Sequence, residues 1–203
     1  MTAGEMPYGT LAVFSSMPSR IPTTLRTPRL LLRPWSPTDA AALHPVLVAN
    51  AAHLGPWIPA HVATPVPVPQ LEERLAAFAE DFAADRAYRY ALLTPDGTRL
   101  RGEADLFPRA AIGRVALDAA DRVELGYWLD AAVTGQGLAT EAASALLALA
   151  ATLPGMMHAE VRCDVANGPS AAVPQRLGFH LAAVEGDMQV WRKPLASEDA
   201  TSA

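Results

Sequence analysis

The sequence predicts a mixed α/β fold, one layer of sheet covered by helices, and three observations carry that expectation. Strand-like and helix-like segments follow one another as strand, helices, strands, helix, strand, helix, strands, an order that suits one layered domain. The turn signal Pro95–Thr98 (PDGT) joins two apolar runs and marks an antiparallel hairpin. A helix-period apolar face begins directly after a two-glycine loop. With 203 residues, 51% hydrophobic and 18% charged, the chain has globular composition and enough length for one domain with a sizeable core.

The elements follow in order. Residues 1–24 lack a basic segment and a sustained apolar run, so they read as a loose tail rather than a signal peptide, with Met17 as an alternative start. Arg29–Trp35 (RLLLRPW) is a short apolar run bounded by prolines, a first strand. Ser36, Pro37 and Asp39 form a helix start: a capping serine, a first-turn proline and a capping-box acid. That helix is expected to stop or kink near Pro45. The proline-rich stretch 53–70 reads as a structured loop, either a rigid cover over the core or a wall facing substrate.

Leu71, Leu75, Phe78 and Phe82 recur at helical spacing, and Tyr88–Phe107 carries the hairpin. Arg122–Asp130 is the next strand. After the glycine loop, Leu138, Ala142, Ala145, Leu146 and Leu149 line one helix face, and this apolar stretch is much too short for a membrane span. Met157–Val165 is a further strand, Ser170–Leu177 a short helix ended by Gly178, and Phe179–Glu185 with Met188–Leu195 the closing pair. Pro174 cannot donate to the Ser170 carbonyl, which predicts a kink or a late start in that short helix. Residues 196–203 read as a disordered tail.

Composition excludes several classes. A net charge of −5 offers no basic footprint for nucleic acid or anionic membrane. Cys163 is the only cysteine, so neither a disulfide framework nor a cysteine-based metal site is available. The histidines His44, His53, His61, His158 and His180 lack ligand spacing, so no metal is expected. The expectation is a soluble, cytoplasmic protein.

Thr134–Ala142 (TGQGLATEA) carries the chemistry. A helix N-terminus presents unpaired N–H groups and partial positive charge, and glycines let a phosphate approach the backbone. No lysine follows Gly137, so the P-loop pattern fails. Thr140 stands where a dinucleotide loop needs its third glycine, and the loop follows a late strand, which argues against an oxidoreductase.

Glu124–Asp130 (ELGYWLD), this loop and Asn167–Phe179 (NGPSAAVPQRLGF) together resemble the GNAT N-acetyltransferase superfamily, specifically its RimJ/RimL type. Leu25–Leu43 is similar to that family's opening strand and helix, and His53–Ala60 (HLGPWIPA) to its tryptophan-proline segment. The resemblance spans Leu25 to Leu195 and implies one acetyltransferase domain over 25–195. It implies a mixed, mostly antiparallel sheet of about six to seven strands, splayed at the centre and flanked by about four helices. It also implies acetyl-CoA as co-substrate. Main chain of Tyr127, Trp128 and Leu129 would pair with the pantetheine amides, Gly135, Gln136, Gly137, Leu138, Ala139 and Thr140 would hold the diphosphate, and Asn167 would contact the coenzyme. Each has a structural alternative: Tyr127 and Trp128 as core aromatics, Asn167 as a turn residue, and Thr140 and Glu141 as first-turn residues. The loop departs from the family signature at Thr134, where glutamine or arginine is usual.

Acetyl transfer to an amine needs a neutral nitrogen, a stabilised oxyanion and a protonated thiolate. The tyrosine that many members use for the last task is replaced by Pro174. Ser170 fits the serine that RimL-type enzymes place near the sulfur, and it equally suits an N-cap. Glu124 is the first candidate base, with Glu103 and Asp105, which share a strand face, behind it. The shortened run after Glu185 leaves no counterpart for a C-terminal glutamate of the family. The acceptor implied is a protein N-terminal amine or a small amine of aminoglycoside type, with a monomer or homodimer expected. The competing reading is a non-catalytic acyl-CoA sensor.

Overall fold

The computed structural model describes residues 21–195. Its strands are β1 (Leu25–Arg26), β2 (Leu31–Pro34), β3 (Tyr88–Leu93), β4 (Leu100–Ala110), β5 (Gly113–Arg114), β6 (Arg122–Leu129), β7 (His158–Asp164), β8 (His180–Glu185) and β9 (Met188–Pro194). Its helices are α1 (Ala40–Leu54), α2 (Ala60–Ala63), α3 (Val68–Ala83), α4 (Leu138–Ala150) and α5 (Gly168–Arg176). One sheet runs β1-β2-β3-β4-β6-β7-β9-β8, with β5 folded back on β4. The nine strands exceed the expected six to seven because β1 and β5 have two residues each, too few to show a period.

Among the described residues β6 and β7 form the one parallel pair of the sheet, and they pair only from Arg122–Leu125 to His158–Val161. Past that point β6 stays with β4 as far as Leu129, while β7 follows β9 as far as Asp164. The sheet therefore opens into a V, and the expected central splay is present. Parallel neighbours need a crossover, and α4 supplies it. Period-two alternation in the central strands sends Tyr90, Leu92, Ala104, Leu106, Val123 and Leu125 toward the core shared with α4. Ala91, Leu93 and Trp128 face the other way, into the core formed with α1 and α3.

Several expectations change. Residues 21–24 are not loose: Ile21 is buried in the core, and the Pro22 carbonyl accepts a 2.7 Å hydrogen bond from the Tyr90 hydroxyl. The rest of the expected N-terminal tail and residues 196–203 lie outside the described residues. Helix α1 passes through Pro45 to Leu54, without the predicted stop. Pro45 removes the N–H that would bond Ala41, but both residues are exposed, so water satisfies that carbonyl. The capping box formed as read, Ser36 with Asp39, on a single 3-10 turn that leads into α1. The proline-rich loop holds α2 and the first turn of α3.

Pro174 gives the clearest correction. The expected late start of α5 is absent, and the helix is continuous from Gly168 to Arg176. The carbonyl of Ser170, orphaned by the proline ring, instead accepts a 2.9 Å hydrogen bond from the Tyr127 hydroxyl across the splay. A side chain on β6 thus replaces the missing helical donor.

Candidate active site

The V between β6 and β7, the loop before α4 and the start of α5 enclose one cavity of about 1320 Å³. Every coenzyme residue expected from the sequence lines it except Gln136, and Ser170 and Glu124 line it as well. Gln136 contributes its carbonyl to the loop's own scaffold instead, as described below.

The loop is built by its glycines. Gly135 and Gly137 have φ of +74° and +78°, left-handed values that side-chain-bearing residues rarely adopt. Gly137 is the N-cap of α4 and offers no side-chain acceptor, so the first-turn N–H groups have no side-chain cap. A Cβ at Gly135 would meet nothing within 4 Å. Donors without caps, open space and the helix dipole make a cradle for an anion. The residues present fit the diphosphate of a coenzyme A thioester.

Sequence reasoning missed the residue that orders this loop. Arg29 Nη1 donates to the Gln136 carbonyl at 2.8 Å, and Arg29 Nε binds Glu141 Oε2 at 2.6 Å. Glu141 also accepts from Thr27 Oγ1 at 2.5 Å and from the Arg29 main-chain N–H at 2.9 Å. Burial works against the charge on Glu141, yet these hydrogen bonds together hold its carboxyl below the usual range. Its role is therefore structural, as read, but through an ion pair that ties the chain start to α4. Arg29 supplies from a distant segment the guanidinium that Thr134 lacks. Arg29→Ala should raise the acetyl-CoA KM about tenfold, the loss of one charge-assisted contact, and leave kcat within about twofold. Steady-state kinetics check this, and an unchanged KM would remove Arg29 from the loop's support.

On β6, Tyr127 combines a main chain on the open edge with a hydroxyl bound to Ser170, and burial pushes its phenol well up. Trp128 sends its indole into the α1–α3 core, where Nε1 has no partner among the described residues. Leu129 packs in the α4 core. The aromatic-core alternative thus describes the Trp128 side chain, and the main chain of all three residues remains at the cavity.

Asn167, not Ser170, is the N-cap of α5: its side chain accepts from the Ser170 N–H at 3.1 Å. That removes the capping alternative for Ser170, which lines the cavity wall together with Cys163. Burial pushes the Cys163 thiol up, with the side chains of Ser170 and Trp191 acting against it.

Glu124 is gripped by Arg109 in a short ion pair and faces Arg114 at 3.8 Å. Its carboxylate is committed to two guanidinium groups, so its oxygens face arginines. Behind it, Glu103 and Asp105 are buried around Arg89, with Nη1 at 3.1 Å from Glu103 and 3.7 Å from Asp105. Trp35 Nε1 donates to Glu103 at 2.6 Å. All three charged groups line the cavity on its α1–α2 side, with His53, Trp57 and His61. Among the described residues no cluster of three or more His, Cys, Asp or Glu could hold a metal ion, and no helix is long and apolar enough to cross a membrane.

A split sheet with a glycine-led helix end beside the split defines an acyl-coenzyme A transferase. The chain belongs to the GNAT family: the family model described as "Acetyltransferase (GNAT) domain" matches residues 29–180. It is an acetyl-CoA-dependent acetyltransferase. Among curated proteins it is similar to YdaF of Bacillus subtilis (strain 168), a candidate ribosomal N-acetyltransferase by name. The two are 26% identical over 74% of this chain and 77% of YdaF. Among solved structures it is similar to RimL, the ribosomal L7/L12 alpha-N-protein acetyltransferase, in complex with coenzyme A held as a disulfide to one of that protein's own cysteines. That match has TM-score 0.69 and 20% identity over 86% of this chain and 97% of RimL. Mycobacterium smegmatis RimJ with CoA-disulfide gives TM-score 0.67 and 24% identity over 81% of each chain.

Proposed function

We propose that this acetyltransferase modifies the N-terminal amine of a protein, the kind of acceptor that the RimL name carries. The observation that carries the reading is the continuity of the cavity. It runs from the glycine loop, past the open edge of β6, to a wall of α1–α2 residues wide of the coenzyme path. An extended peptide end fits such an open wall. The first-turn N–H groups of α4 hold the diphosphate, with Asn167 fixing the start of α5 beside the coenzyme. The free edge at Tyr127, Trp128 and Leu129 aligns the pantetheine amides as an added strand would, and Ser170 hydrogen-bonds the sulfur. Positioning the two reactants this way supplies much of the rate.

Thiol release from acetyl-CoA is the test, measured with seryl and alanyl peptides bearing free N-termini and with aminoglycosides in parallel. Peptide turnover supports the reading. Turnover with aminoglycosides alone makes the acceptor a small amine, and tight acetyl-CoA binding without turnover on any amine makes the protein a sensor.

The sulfur's placement has its own check, because Cys163 is the chain's only cysteine and lines the cavity. Oxidised CoA disulfide should exchange with the Cys163 thiol, leaving one CoA on the protein and releasing one CoA thiol. Intact mass should show a single adduct that acetyl-CoA prevents and Cys163→Ala abolishes. Burial of the thiol makes the exchange faster at alkaline pH. An adduct indifferent to acetyl-CoA would place the sulfur elsewhere.

A further inference from the structure

We propose that Asp105 is the proton acceptor for the attacking amine, in place of Glu124. The inference rests on the acetyltransferase reading of the cavity. Asp105 is 5% exposed and lines the cavity, yet its Oδ1 has no hydrogen-bond partner among the described residues. A buried carboxyl oxygen without a donor is costly unless a proton shared with the neighbouring Glu103 carboxyl, or a ligand group, supplies one. Its cross-strand partner is Gly126, the first residue of β6 past the end of pairing with β7. A Cβ at Gly126 would lie 3.0 Å from Asp105 Oδ2, so the missing side chain is what makes room for the carboxyl beside the split.

The surroundings suit a base. Glu103 stands on the same strand face, Arg89 on β3 lies 3.7 Å away, and Arg114 on β5 adds a second positive charge at longer range. The Glu124–Arg109 pair on β6 and β4 and His61 on α2 also line the cavity, and Arg74 on α3 acts on Glu103. Burial first, and then the Glu103 charge, raise the Asp105 proton affinity well above that of an ordinary carboxylate, with Arg89 acting against them. That narrows the gap to the α-ammonium of a peptide, which lies at about 8. Glu124 lacks this setting because its two arginines occupy it.

The step balances simply. The ammonium passes one proton to Asp105, which releases it to solvent. The nitrogen then bonds to the acetyl carbon, the carbon–sulfur bond breaks, and the second nitrogen proton ends on the coenzyme sulfur.

Asp105→Asn should lower kcat on an alanyl peptide about a hundredfold, the scale of general-base catalysis, with acetyl-CoA KM little changed; any loss of stability from removing a partner of the buried Arg89 network is read separately in thermal melts. The fall of wild-type kcat/KM toward acid pH should flatten in the variant. An otherwise identical peptide with an aminooxyacetyl terminus is neutral at pH 7 and needs no base, so on it the variant should match wild type within a few fold. Gly126→Ala, which keeps the carboxyl but pushes it aside, should give a smaller loss with the same nucleophile dependence. Wild-type kcat in Asp105→Asn, or an equal loss on both peptides, overturns the proposal. Should peptides fail as acceptors, glycinamide and hydroxylamine at high concentration report the same contrast, so the acceptor reading can fall separately from the base.

Discussion

Gly137→Val is expected to raise the acetyl-CoA KM by about a hundredfold. Gly137 holds φ +78° as the N-cap of α4, and a β-branched residue in that left-handed region costs on the order of 1–3 kcal/mol. The strain relaxes by moving the cap, which rotates the first-turn N–H groups away from the diphosphate. The new side chain also enters the space of Arg29, whose Nη2 lies 3.6 Å from the Cβ position, and so disturbs the contact to Gln136. Losing about two charge-assisted hydrogen bonds, at about 1.5 kcal/mol each, amounts to the hundredfold quoted. Coenzyme titration by calorimetry and steady-state kinetics should agree, with kcat at saturation falling much less. An unchanged KM would mean that the diphosphate does not sit on this loop.

Arg89→Met is expected to destabilise the fold by about 3–5 kcal/mol, the usual cost of removing one partner from a buried ion network. Arg89 is 7% exposed and lies between Glu103 and Asp105. Its guanidinium also stacks 4.4 Å from the Phe78 ring and 4.9 Å from the Phe107 ring. Methionine restores part of the packing and none of the charge. The two carboxyls then face each other in low dielectric, and the Asp105 proton affinity in the folded state, already raised by burial and the Glu103 charge, rises further above its unfolded value. An acid with a raised folded-state pKa holds its proton longer in the native protein, so native stability falls as pH rises through that window. The deficit should therefore be larger at pH 8 than at pH 5 in paired thermal melts. A deficit equal at both values would assign the loss to packing and the aromatic contacts alone.

Much of this site was legible in the chain, and the reasons are local. Gly135 and Gly137 signalled a cradle because only glycine adopts their backbone without strain. The capping box at Ser36 and the hairpin around Pro95–Thr98 were legible because each involves residues within a few positions of one another. Ser170 and Asn167 were both singled out, but Asn167 takes the cap that the sequence offered to Ser170, since the sequence does not say which of two capping residues three positions apart takes it. Gly126, isolated inside a strand, was a sign of close approach that went unused.

The misses share another character. Pro174 foretold a kink or a late start; the late start is absent, and Tyr127, 47 positions earlier, supplies the donor that the proline removed. Thr134 foretold a weakened loop, and Arg29 strengthened it from more than a hundred positions away. Glu124 is an exposed-looking strand carboxylate in the sequence and a doubly paired one in the fold. Asp105 and Glu103 share a face by alternation alone, but only the packing of β3 against β4 brings Arg89 to them and leaves Asp105 Oδ1 without a donor. Periodicity, caps and turns act over a few residues, so the chain itself determined the elements, the family and the backbone of the glycine loop. Proton affinity and hydrogen-bond satisfaction depend on groups that the sheet brings together from far apart, so the folded structure alone decided which carboxylate is free to act.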